Sequence, residues 1–179
     1  MSTFAETERL ILREILPSDA EAMLELESDP EVMQYMHGNI ITNIEQAKAE
    51  IASIRKQYNE DRISRWAVIE RQTNTFIGIS GLRIVKELRN GHQNYHSVGY
   101  RFIKRYWGKG FATEAAIAVI RYGFEMLGLN DIYATTTLDN IASKKVLEKS
   151  GLHFAGEFDY HGHQETWYHI SRIDWLNSR

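Results

Sequence analysis

Gly108 and Gly110 lie between a predicted strand, Ser97–Phe102, and the segment with the clearest helical periodicity in the chain. From Ala112 onwards, apolar residues recur every three or four positions, which predicts a helix, and Gly128 is a typical stop. The first N–H groups of a helix have no backbone partner and lie at the positive end of the helix dipole. We therefore expect an anion, such as a phosphate, to bind where the glycine turn enters the helix.

The residues that follow the glycines exclude two common phosphate-binding loops. The P-loop of nucleoside triphosphatases has a Lys followed by Ser or Thr after its second glycine, and the dinucleotide-binding fingerprint has a third glycine. Neither pattern follows Gly110 in this chain. A tight turn that binds no ligand is the alternative to an anion site of another type.

Residues 106–115 resemble the pyrophosphate loop of the GNAT superfamily of acyl-CoA-dependent N-acetyltransferases, whose pattern is Q/R-x-x-G-x-G/A. Gly110 and Ala112 fill the last two marked positions of that pattern. Trp107 stands where Gln or Arg is expected. With Tyr106 before Trp107 and Thr-Glu-Ala after the loop, the segment is similar to the loop of the RimJ/RimL branch, which comprises the ribosomal-protein N-terminal acetyltransferases and their relatives.

A second segment, Asp139–Leu152, resembles the block N-x-x-S-x-x-x-L-E-K-x-G-F that follows the pyrophosphate loop in the same branch. Leu152 replaces the Phe. Two blocks in the right order and spacing identify the chain as a member of the GNAT superfamily, and the specific resemblance covers residues 95–154.

The resemblance implies an α/β (α+β) fold: a mixed, mostly antiparallel sheet with one splayed parallel strand pair and helices on both faces. Acetyl-CoA, as co-substrate, would lie in the cleft between the splayed strands. Its expected contacts are Phe102, Ile103, Trp107, Gly108, Lys109, Gly110, Phe111, Ala112, Thr113, Asn140 and Ser143. Trp107 could instead pack over the loop or form a wall of the acceptor pocket, and Lys109 could simply be solvated.

Asn140 and Ser143 are the expected catalytic residues. Many GNAT enzymes place a tyrosine general acid seven residues after the equivalent of Asn140, but this chain has Leu147 there. The resemblance to the RimJ/RimL branch suggests that the Ser143 hydroxyl serves the CoA sulfur instead. Asn140 could alternatively do no more than cap its helix.

No general base stands out in the sequence. Relatives often carry a Glu where this chain has Ser97, which puts a carboxylate base at that position in doubt. Four other residues could assist proton loss from the amine, and the sequence does not distinguish among them: His96, Glu157, Asp159 and Glu165.

Periodicity and turn signals predict the elements around these residues. A first strand spans 7–15, and capping boxes at Ser18–Glu21 and Thr42–Glu45 open two helices. Strands are predicted at 66–70, 76–85, 95–102 and 132–137, then a helix from Asn140 to Gly151, then strands at 152–158 and 166–173. The strand 132–137 follows a helical crossover and should therefore lie parallel to the strand 97–102. Gly78 and Gly81 suggest a bulge or a close backbone approach.

The composition fits one domain, residues 1–179, because 43% hydrophobic content can fill a substantial core. A net charge of −3 gives no general attraction to nucleic acid or to an anionic membrane, and no apolar run approaches the ~20 residues of a membrane span. The charged N-terminal segment is unlike a signal peptide. The absence of cysteine excludes disulfides and thiolate metal sites and fits a cytoplasmic protein. We expect no bound metal, since His161-Gly162-His163 is typical of a solvated turn.

The expected reaction is direct transfer of acetyl from acetyl-CoA to a primary amine, since no cysteine is present to carry an acyl intermediate. The preferred acceptor is a protein or peptide N-terminal α-amine, whose pKa of about 7.7–8.0 leaves a useful fraction unprotonated near neutral pH. The alternatives are a small-molecule amine (polyamine, amino acid or antibiotic) and a catalytically silent acyl-CoA-binding domain. By analogy, the segment 33–37 and the hairpin 161–165 flank the acceptor entrance, although the first could simply pack in the core. The sequence leaves open whether the protein forms a homodimer.

Overall fold

Eight strands form one mixed sheet in a computed structural model that describes residues 2–36, 38 and 40–179. The strands are β1 (Thr3–Glu6), β2 (Leu10–Arg13), β3 (Arg65–Glu70), β4 (Thr75–Val85), β5 (Tyr95–Phe102), β6 (Asp131–Thr137), β7 (His153–Tyr160) and β8 (His163–Ser171). Their order across the sheet is β1-β2-β3-β4-β5-β6-β8-β7. The first five are neighbours in both sequence and space, so the first part of the sheet is an antiparallel meander.

Helices cover both faces of the sheet. They are α1 (Ala20–Ser28), α2 (Pro30–Met33), α3 (Ile44–Glu60), α4 (Phe111–Glu125), α5 (Ile141–Lys149) and α6 (Arg172–Asn177). One buried cluster joins α4 and α5 to one face through residues such as Leu82, Val119 and Leu147, and a second joins α1 and α3 to the other face through Met23, Ile51 and Ile79. No helix in the described part of the chain is long and apolar enough to cross a membrane.

The strands β5 and β6 are the one parallel pair of this sheet, and they are in register only at Ser97 and Tyr133. Every other neighbouring pair is antiparallel, which confirms the predicted mixed sheet with one parallel pair. Beyond the pair Ser97–Tyr133 the two strands diverge. We call this opening between β5 and β6 the seam. Its edges carry backbone N–H and C=O groups that no neighbouring strand satisfies, and such groups require other partners.

Gly78 and Gly81 allow close backbone approaches within the sheet. A Cβ atom at Gly78 would lie 2.3 Å from the carbonyl oxygen of Arg101, and one at Gly81 would lie 2.5 Å from that of Ser64. The pairing of β3 with β4 also shifts by one residue between Val68 and Ile69, beside Gly78. Both features that the sequence suggested, a close approach and a bulge, are therefore present.

Both predicted capping boxes are wrong. Asp19, rather than Ser18, accepts a hydrogen bond from the N–H of Leu16, at 2.7 Å, and a 3-10 turn, Pro17–Asp19, precedes α1. Asn43 caps α3 by accepting from the N–H of Gln46 at 3.0 Å. At α3 the Asn43 carboxamide replaces the hydroxyl of Thr42, since Asn leads the N-cap preference. At α1 the N-cap residue is Asp19, but its carboxylate accepts from the N–H of Leu16 and makes no hydrogen bond to the helix.

Two predicted strand limits are also wrong. The strand predicted at 7–15 is only the second half of a hairpin, since β1 precedes it and a turn at residues 7–9 separates the two strands. The last strand ends at Ser171, whose hydroxyl accepts from the N–H of Asp174 at 3.1 Å and caps α6. The apolar alternation of residues 166–173 hid this change from strand to helix.

Candidate active site

The turn before α4 has a run of backbone N–H groups that find no partner in the described part of the chain. Gly108 has φ of 73° and Gly110 has φ of 82°, so both lie in the left-handed region that favours glycine. Gly110 is the N-cap residue of α4, and its carbonyl accepts from the N–H of Glu114 at 3.1 Å. Among the described residues, no group accepts from the N–H groups of residues 108–113. The turn can therefore surround an anion, such as a pyrophosphate, with donors.

The turn between β1 and β2 holds this loop in place. Arg9 donates to the Lys109 carbonyl oxygen at 2.9 Å and pairs with the Glu114 carboxylate at 2.6 Å. The Thr7 hydroxyl donates to the same carboxylate at 2.5 Å, and the Arg9 guanidinium lies 4.6 Å from the centre of the Phe111 ring. The N-terminal hairpin and the first turn of α4 are thus one polar unit, here called the clamp (Thr7, Arg9, Lys109 and Glu114).

The pKa of Glu114 is lowered from its ordinary value. Burial alone would raise it, but hydrogen bonds from Thr7 and from the backbone and side chain of Arg9 outweigh burial because they favour the charged form. The clamp carboxylate is therefore ionised at neutral pH.

Trp107 joins the loop to the end of β5. Its indole N–H donates to the Phe102 carbonyl oxygen at 2.7 Å, and its side chain is 43% exposed. The bond to β5 fixes the loop, and the Trp107 ring lines a cavity beside the turn. Ile103 differs from its predicted neighbours: its side chain is buried and its N–H donates to the Ile77 carbonyl oxygen at 3.0 Å.

Two adjoining cavities occupy the cleft. The loop cavity, about 310 Å3, extends along the turn before α4 and includes Phe102, Trp107, Gly108 and Ala112 in its walls. The seam cavity, about 400 Å3, lies between β5 and β6. Six residues line both: Tyr35, Met36, Tyr100, Arg101, Asn140 and Ser143. Of the other predicted contacts, Lys109 is exposed, Phe111 is buried beneath the turn, and Gly110 and Thr113 lie at the start of α4 outside both walls.

Asn140 and Ser143, which the sequence predicts as catalytic, stand where the two cavities meet. The Asn140 carboxamide oxygen accepts from the N–H of Ser143 at 3.0 Å and caps α5, as predicted. Its NH2 group has no hydrogen-bond partner in the described part of the chain. The capping role therefore leaves a donor available to a ligand in either cavity.

Tyr100 reaches Ser143 across the seam. Its hydroxyl lies 3.0 Å from the Ser143 hydroxyl and 3.1 Å from the Ser143 carbonyl oxygen. Burial raises the pKa of Tyr100, and the hydrogen bond to Ser143 lowers it only in part, so the phenol remains protonated at neutral pH. When the phenol donates to either Ser143 oxygen, the Ser143 hydroxyl can donate to a third group in the cleft.

The sequence did not point to Tyr100, although it lies on the same strand as Ser97, the position weighed for a general base. Leu147, which stands at the position of the expected tyrosine, lies one turn beyond Ser143 in the wall of the seam cavity. The structure therefore supplies a phenol to the same region from a strand instead of from α5.

Glu165 is the one residue of the four proposed bases that lines a cavity. Its side chain is 4% exposed in the wall of the seam cavity. Glu157 and Asp159 are exposed on β7, where Asp159 accepts from the Gly162 N–H at 3.1 Å in the hairpin turn. His96 lies outside both cavities, and burial lowers its pKa.

Four arginines line the seam cavity, and sequence reasoning identified none of them. They are Arg65, Arg83, Arg89 and Arg101. Burial lowers the pKa of Arg65 to about 9, with further lowering from the charges of Arg101 and Arg83. The guanidinium still carries its charge at neutral pH. The arginines come from different strands and one loop, so no sequence motif connects them.

The segments expected to flank the acceptor entrance contribute to this site in part. Tyr35 and Met36 line both cavities, whereas Met33 is buried and its sulfur lies 3.5 Å from a guanidinium nitrogen of Arg101. His37 lies outside the described residues. From the hairpin, Glu165 lines the seam cavity, beside Tyr160 at the end of β7.

His161 and Gly162 form the tight turn between β7 and β8, with φ of 53° and 81°, and His163 is the first residue of β8. Among the residues that the structure describes, no group of three or more His, Cys, Asp or Glu side chains could hold a metal ion.

Comparison with known proteins agrees with this architecture. The model of a family described as an acetyltransferase (GNAT) domain matches residues 9–153. The uncharacterized N-acetyltransferase YoaA of Bacillus subtilis is 36% identical over 156 residues, which cover 87% of this chain and 86% of that protein. A solved GNAT-family acetyltransferase from Bacillus anthracis matches with a TM-score of 0.80 at 28% identity, covering 94% of this chain and 98% of that one. RimL, a ribosomal L7/L12 alpha-N-protein acetyltransferase solved with coenzyme A, has the same fold. It matches with a TM-score of 0.80 at 15% identity, covering 95% of this chain and 98% of RimL.

Proposed function

We propose, from the premise that this chain belongs to the acetyltransferase (GNAT) family, that it transfers the acetyl group of acetyl-CoA directly to a primary amine. The observation that carries this proposal is the Ser143–Tyr100 hydroxyl pair, which stands where the loop cavity meets the seam cavity. A donor in one cavity and an acceptor in the other would meet at these hydroxyls.

The loop cavity suits acetyl-CoA. The N–H groups of residues 108–113 would bind its pyrophosphate, and the open edges of β5 and β6 offer partners for the amides of its pantetheine arm. The carboxamide NH2 group of Asn140, which has no partner among the described residues, lies at the far end of this path. The thioester would then lie beside Ser143.

In the reaction, the amine lone pair attacks the thioester carbonyl carbon, and the carbon–sulfur bond breaks as the new carbon–nitrogen bond forms. The amine loses one proton and the departing sulfur gains one. A CoA thiol resembles a cysteine thiol, with a pKa of about 8.5, so its thiolate needs only modest stabilisation. The Ser143 hydroxyl can donate a hydrogen bond to it while Tyr100 donates to Ser143.

Glu165 would receive the acceptor amine. It is the one carboxylate in the described wall of the seam cavity, where it can hold an ammonium group and accept its proton. Substituting Glu165→Gln should lower kcat/KM near neutral pH. The deficit should shrink as the pH rises through the amine's own pKa, about 7.7–8.0 for an α-amine, because the acceptor then no longer has to give up an ammonium proton before it attacks. A deficit that does not change with pH would remove Glu165 from this role.

The acceptor that we propose is an α-amine, in a peptide or protein N-terminus, and the chain would act as a RimJ/RimL-like enzyme in the cytoplasm with residues 1–179 as one domain. RimL, which shares the fold, is named as an alpha-N-protein acetyltransferase. A small-molecule amine is the second candidate, because the described part of the seam cavity, about 400 Å3, is of the size of small-ligand pockets.

A comparison of acceptors tests this proposal. Release of CoA thiol from acetyl-CoA should be measured with peptides that have a free or a blocked N-terminus, each with an internal lysine, and with amino acids and spermidine. The free peptides should react and the blocked ones should not. Equal reaction of the blocked peptides would point to lysine, and reaction of small amines alone would point to the second candidate. Binding of acetyl-CoA without any transfer would indicate a silent binding domain.

A further inference from the structure

Three arginines of the seam cavity project from the same face of the sheet. Arg65 on β3 is paired with Gly81 on β4, and Gly81 is paired with Gly99 on β5. Arg83 and Arg101 each lie two residues from one of these glycines, and side chains two residues apart in a strand share a face. Since neither glycine has a side chain, Arg65 can extend over both strands: its Nε lies 3.9 Å from where a Cβ atom of Gly99 would be.

These guanidinium groups are poorly matched by carboxylates. Arg101 pairs with the buried Glu27 at 2.8 Å. Within the described ranges, neither Arg65 nor Arg83 has a carboxylate oxygen within 4 Å. Arg89 lies over the Tyr160 ring, 3.9 Å from its centre, and its buried Nε has no hydrogen-bond partner among the described residues. Four guanidiniums therefore face one carboxylate, Glu165, in the wall of the cavity.

This arrangement opposes folding unless something compensates for it. Like charges on neighbouring strands destabilise a sheet, and here burial adds a desolvation cost. Both effects lower the pKa of Arg83 as well as that of Arg65, burial being the larger cause in each. The chain contains more carboxylates than Lys and Arg side chains, and its net charge is −3. The described part of the chain nevertheless places only one carboxylate in the wall of this cavity.

We infer that the seam cavity binds an acceptor in which the primary amine is attached to an oxyanion, either a carboxylate or a phosphate. Arginine donates in a planar fork that matches both groups, so Arg65 and Arg83 can each make two parallel hydrogen bonds to it. Glu165 in the same cavity takes the ammonium end. The acceptor is thus recognised at two poles of opposite charge, and its amine lies toward Ser143.

The inference rests on the proposed transfer to an amine and narrows its acceptor. The oxyanion can be the α-carboxylate of a free amino acid, an acidic side chain beside a peptide N-terminus, or a phosphate on a small amine. All three share the same chemistry at the arginines. A polyamine, which carries only positive charge, should be excluded by the same four guanidiniums.

Matched acceptors test the inference. The pairs are glycine against glycinamide, peptides beginning Ala-Glu against Ala-Gln, and phosphoethanolamine against ethanolamine, each with saturating acetyl-CoA. In at least one pair, kcat/KM for the anionic member should exceed that of the neutral member by about tenfold or more, the size of one charge-assisted contact. The pair that shows the ratio identifies the source of the oxyanion. Equal or inverse ratios in all three pairs, with transfer still observed, would overturn the inference and leave the proposed function standing.

Variants assign the ratio to the arginines. Arg83→Gln and Arg65→Gln should bring the anionic-to-neutral ratio toward one, Arg83→Lys should retain part of it, and affinity for CoA should stay unchanged by calorimetry in all three. Arg121→Gln, on α4 outside both cavities, is the matched control and should keep the full ratio. A ratio that survives both Gln substitutions would place the recognition elsewhere.

A binding measurement does not depend on turnover, so it tests the inference even if no acceptor reacts. Succinate is titrated into the protein saturated with CoA, which occupies the pyrophosphate loop and leaves the arginines as the anion site. We expect binding by calorimetry in the unaltered protein, and at least tenfold weaker binding in Arg65→Gln and Arg83→Gln. Equal affinity in all forms, or no binding to the unaltered protein, would overturn the inference, whereas arginine-dependent binding without any transfer would instead count against the proposed function.

Discussion

The Ser143 hydroxyl lies 3.0 Å from the Tyr100 hydroxyl, which is its one hydrogen-bond partner from another element among the described residues. Because burial raises the pKa of Tyr100, the pair enters the reaction with both hydroxyls protonated. Ser143→Ala should lower kcat by roughly tenfold to a hundredfold, the size of one lost hydrogen bond to the departing thiolate, while the dissociation constant for CoA changes little. An unaltered kcat in this variant would dismiss the role of Ser143.

The Tyr100→Phe variant separates orientation from donation. If Tyr100 acts by orienting Ser143, its removal should lower kcat less than Ser143→Ala does, and the double variant should resemble Ser143→Ala alone because the two act as a unit. Additive losses in the double variant would mean that each hydroxyl contacts the substrates independently.

Gly110 is the loop position where a side chain is least acceptable. Its φ of 82° disfavours any L residue, and a Cβ atom there would lie 3.4 Å from a guanidinium nitrogen of Arg9. Gly110→Glu would add both bulk and negative charge beside the proposed pyrophosphate, so its affinity for acetyl-CoA should fall by at least tenfold in calorimetry. Unchanged affinity would show that the pyrophosphate binds elsewhere. Gly91→Glu is a suitable control, since Gly91 has a similar φ of 75° in a turn outside both cavities.

At the residue scale, the sequence predicted the site residues that lie within a contiguous motif. The loop glycines, Asn140 and Ser143 were all identified from two blocks of sequence, and the structure places Asn140 and Ser143 at the junction of the cavities. Tyr100 and the four arginines come from separate strands, so their proximity depends on the register of the sheet. No local pattern reports that register, which is why sequence reasoning missed them.

At the scale of elements, the clamp connects the first hairpin to α4. Replacing Glu114 by Gln keeps the shape of the side chain and removes its charge, so the hydrogen bonds from Arg9 and Thr7 should weaken. We expect a lower melting temperature and weaker CoA binding at pH 7. Glu125→Gln, which removes a more exposed carboxylate paired with Arg179, is the control and should change the melting temperature less.

The pH dependence of that difference follows from the lowered pKa of Glu114. A carboxylate whose pKa is lower in the folded state stabilises the fold fully above its ordinary pKa of 4.5, and the contribution disappears as the pH falls through the folded value. The difference in melting temperature between the unaltered protein and Glu114→Gln should therefore be constant from pH 7 to about 5 and should narrow below 4.5. A difference that widens in acid would contradict the assignment.

The paired glycines of β4 and β5 offer a test of sheet packing. A Cβ atom at Gly81 would lie 2.5 Å from the carbonyl oxygen of Ser64, whereas one at Gly99, directly opposite, would meet only Arg65 at 3.9 Å. Gly81→Ala should destabilise the protein by about 1–3 kcal/mol through overpacking, while Gly99→Ala should be near neutral in denaturant unfolding. Equal effects of the two substitutions would show that the backbone adjusts freely at Gly81.

Strong periodicity made most elements predictable, but it did not predict where the helices begin. The alternation of β3 to β6 and the helical period of α4 gave the right elements within one or two residues. Helix starts were misplaced because a 3-10 turn, Pro17–Asp19, precedes α1, and because Asn43 caps α3 in place of the adjacent Thr42. The divergence of β5 and β6 came only from the family resemblance, since each strand alone has ordinary alternation.

At the scale of the whole molecule, the seam divides the sheet into β1–β5 and β6–β8, which are in register at one residue pair. If CoA binds along the open edges, its amides replace the missing strand pairs. Backbone amides of residues 98–103 and 134–138 should then exchange hydrogen more slowly when CoA is present. Residues 67–70 of β3, which lie between the paired strands β2 and β4, should show a smaller change.

The sparse pairing at the seam has a consequence for the lifetime of the protein in a cell. A ligand at a hundred times its dissociation constant stabilises the folded form by about 2.7 kcal/mol, which lowers the population of opened molecules by roughly a hundredfold. Proteases cleave opened molecules, so degradation should slow as the supply of coenzyme A rises. The abundance of this acetyltransferase would then follow the metabolic state that sets its own co-substrate, without any change in transcription.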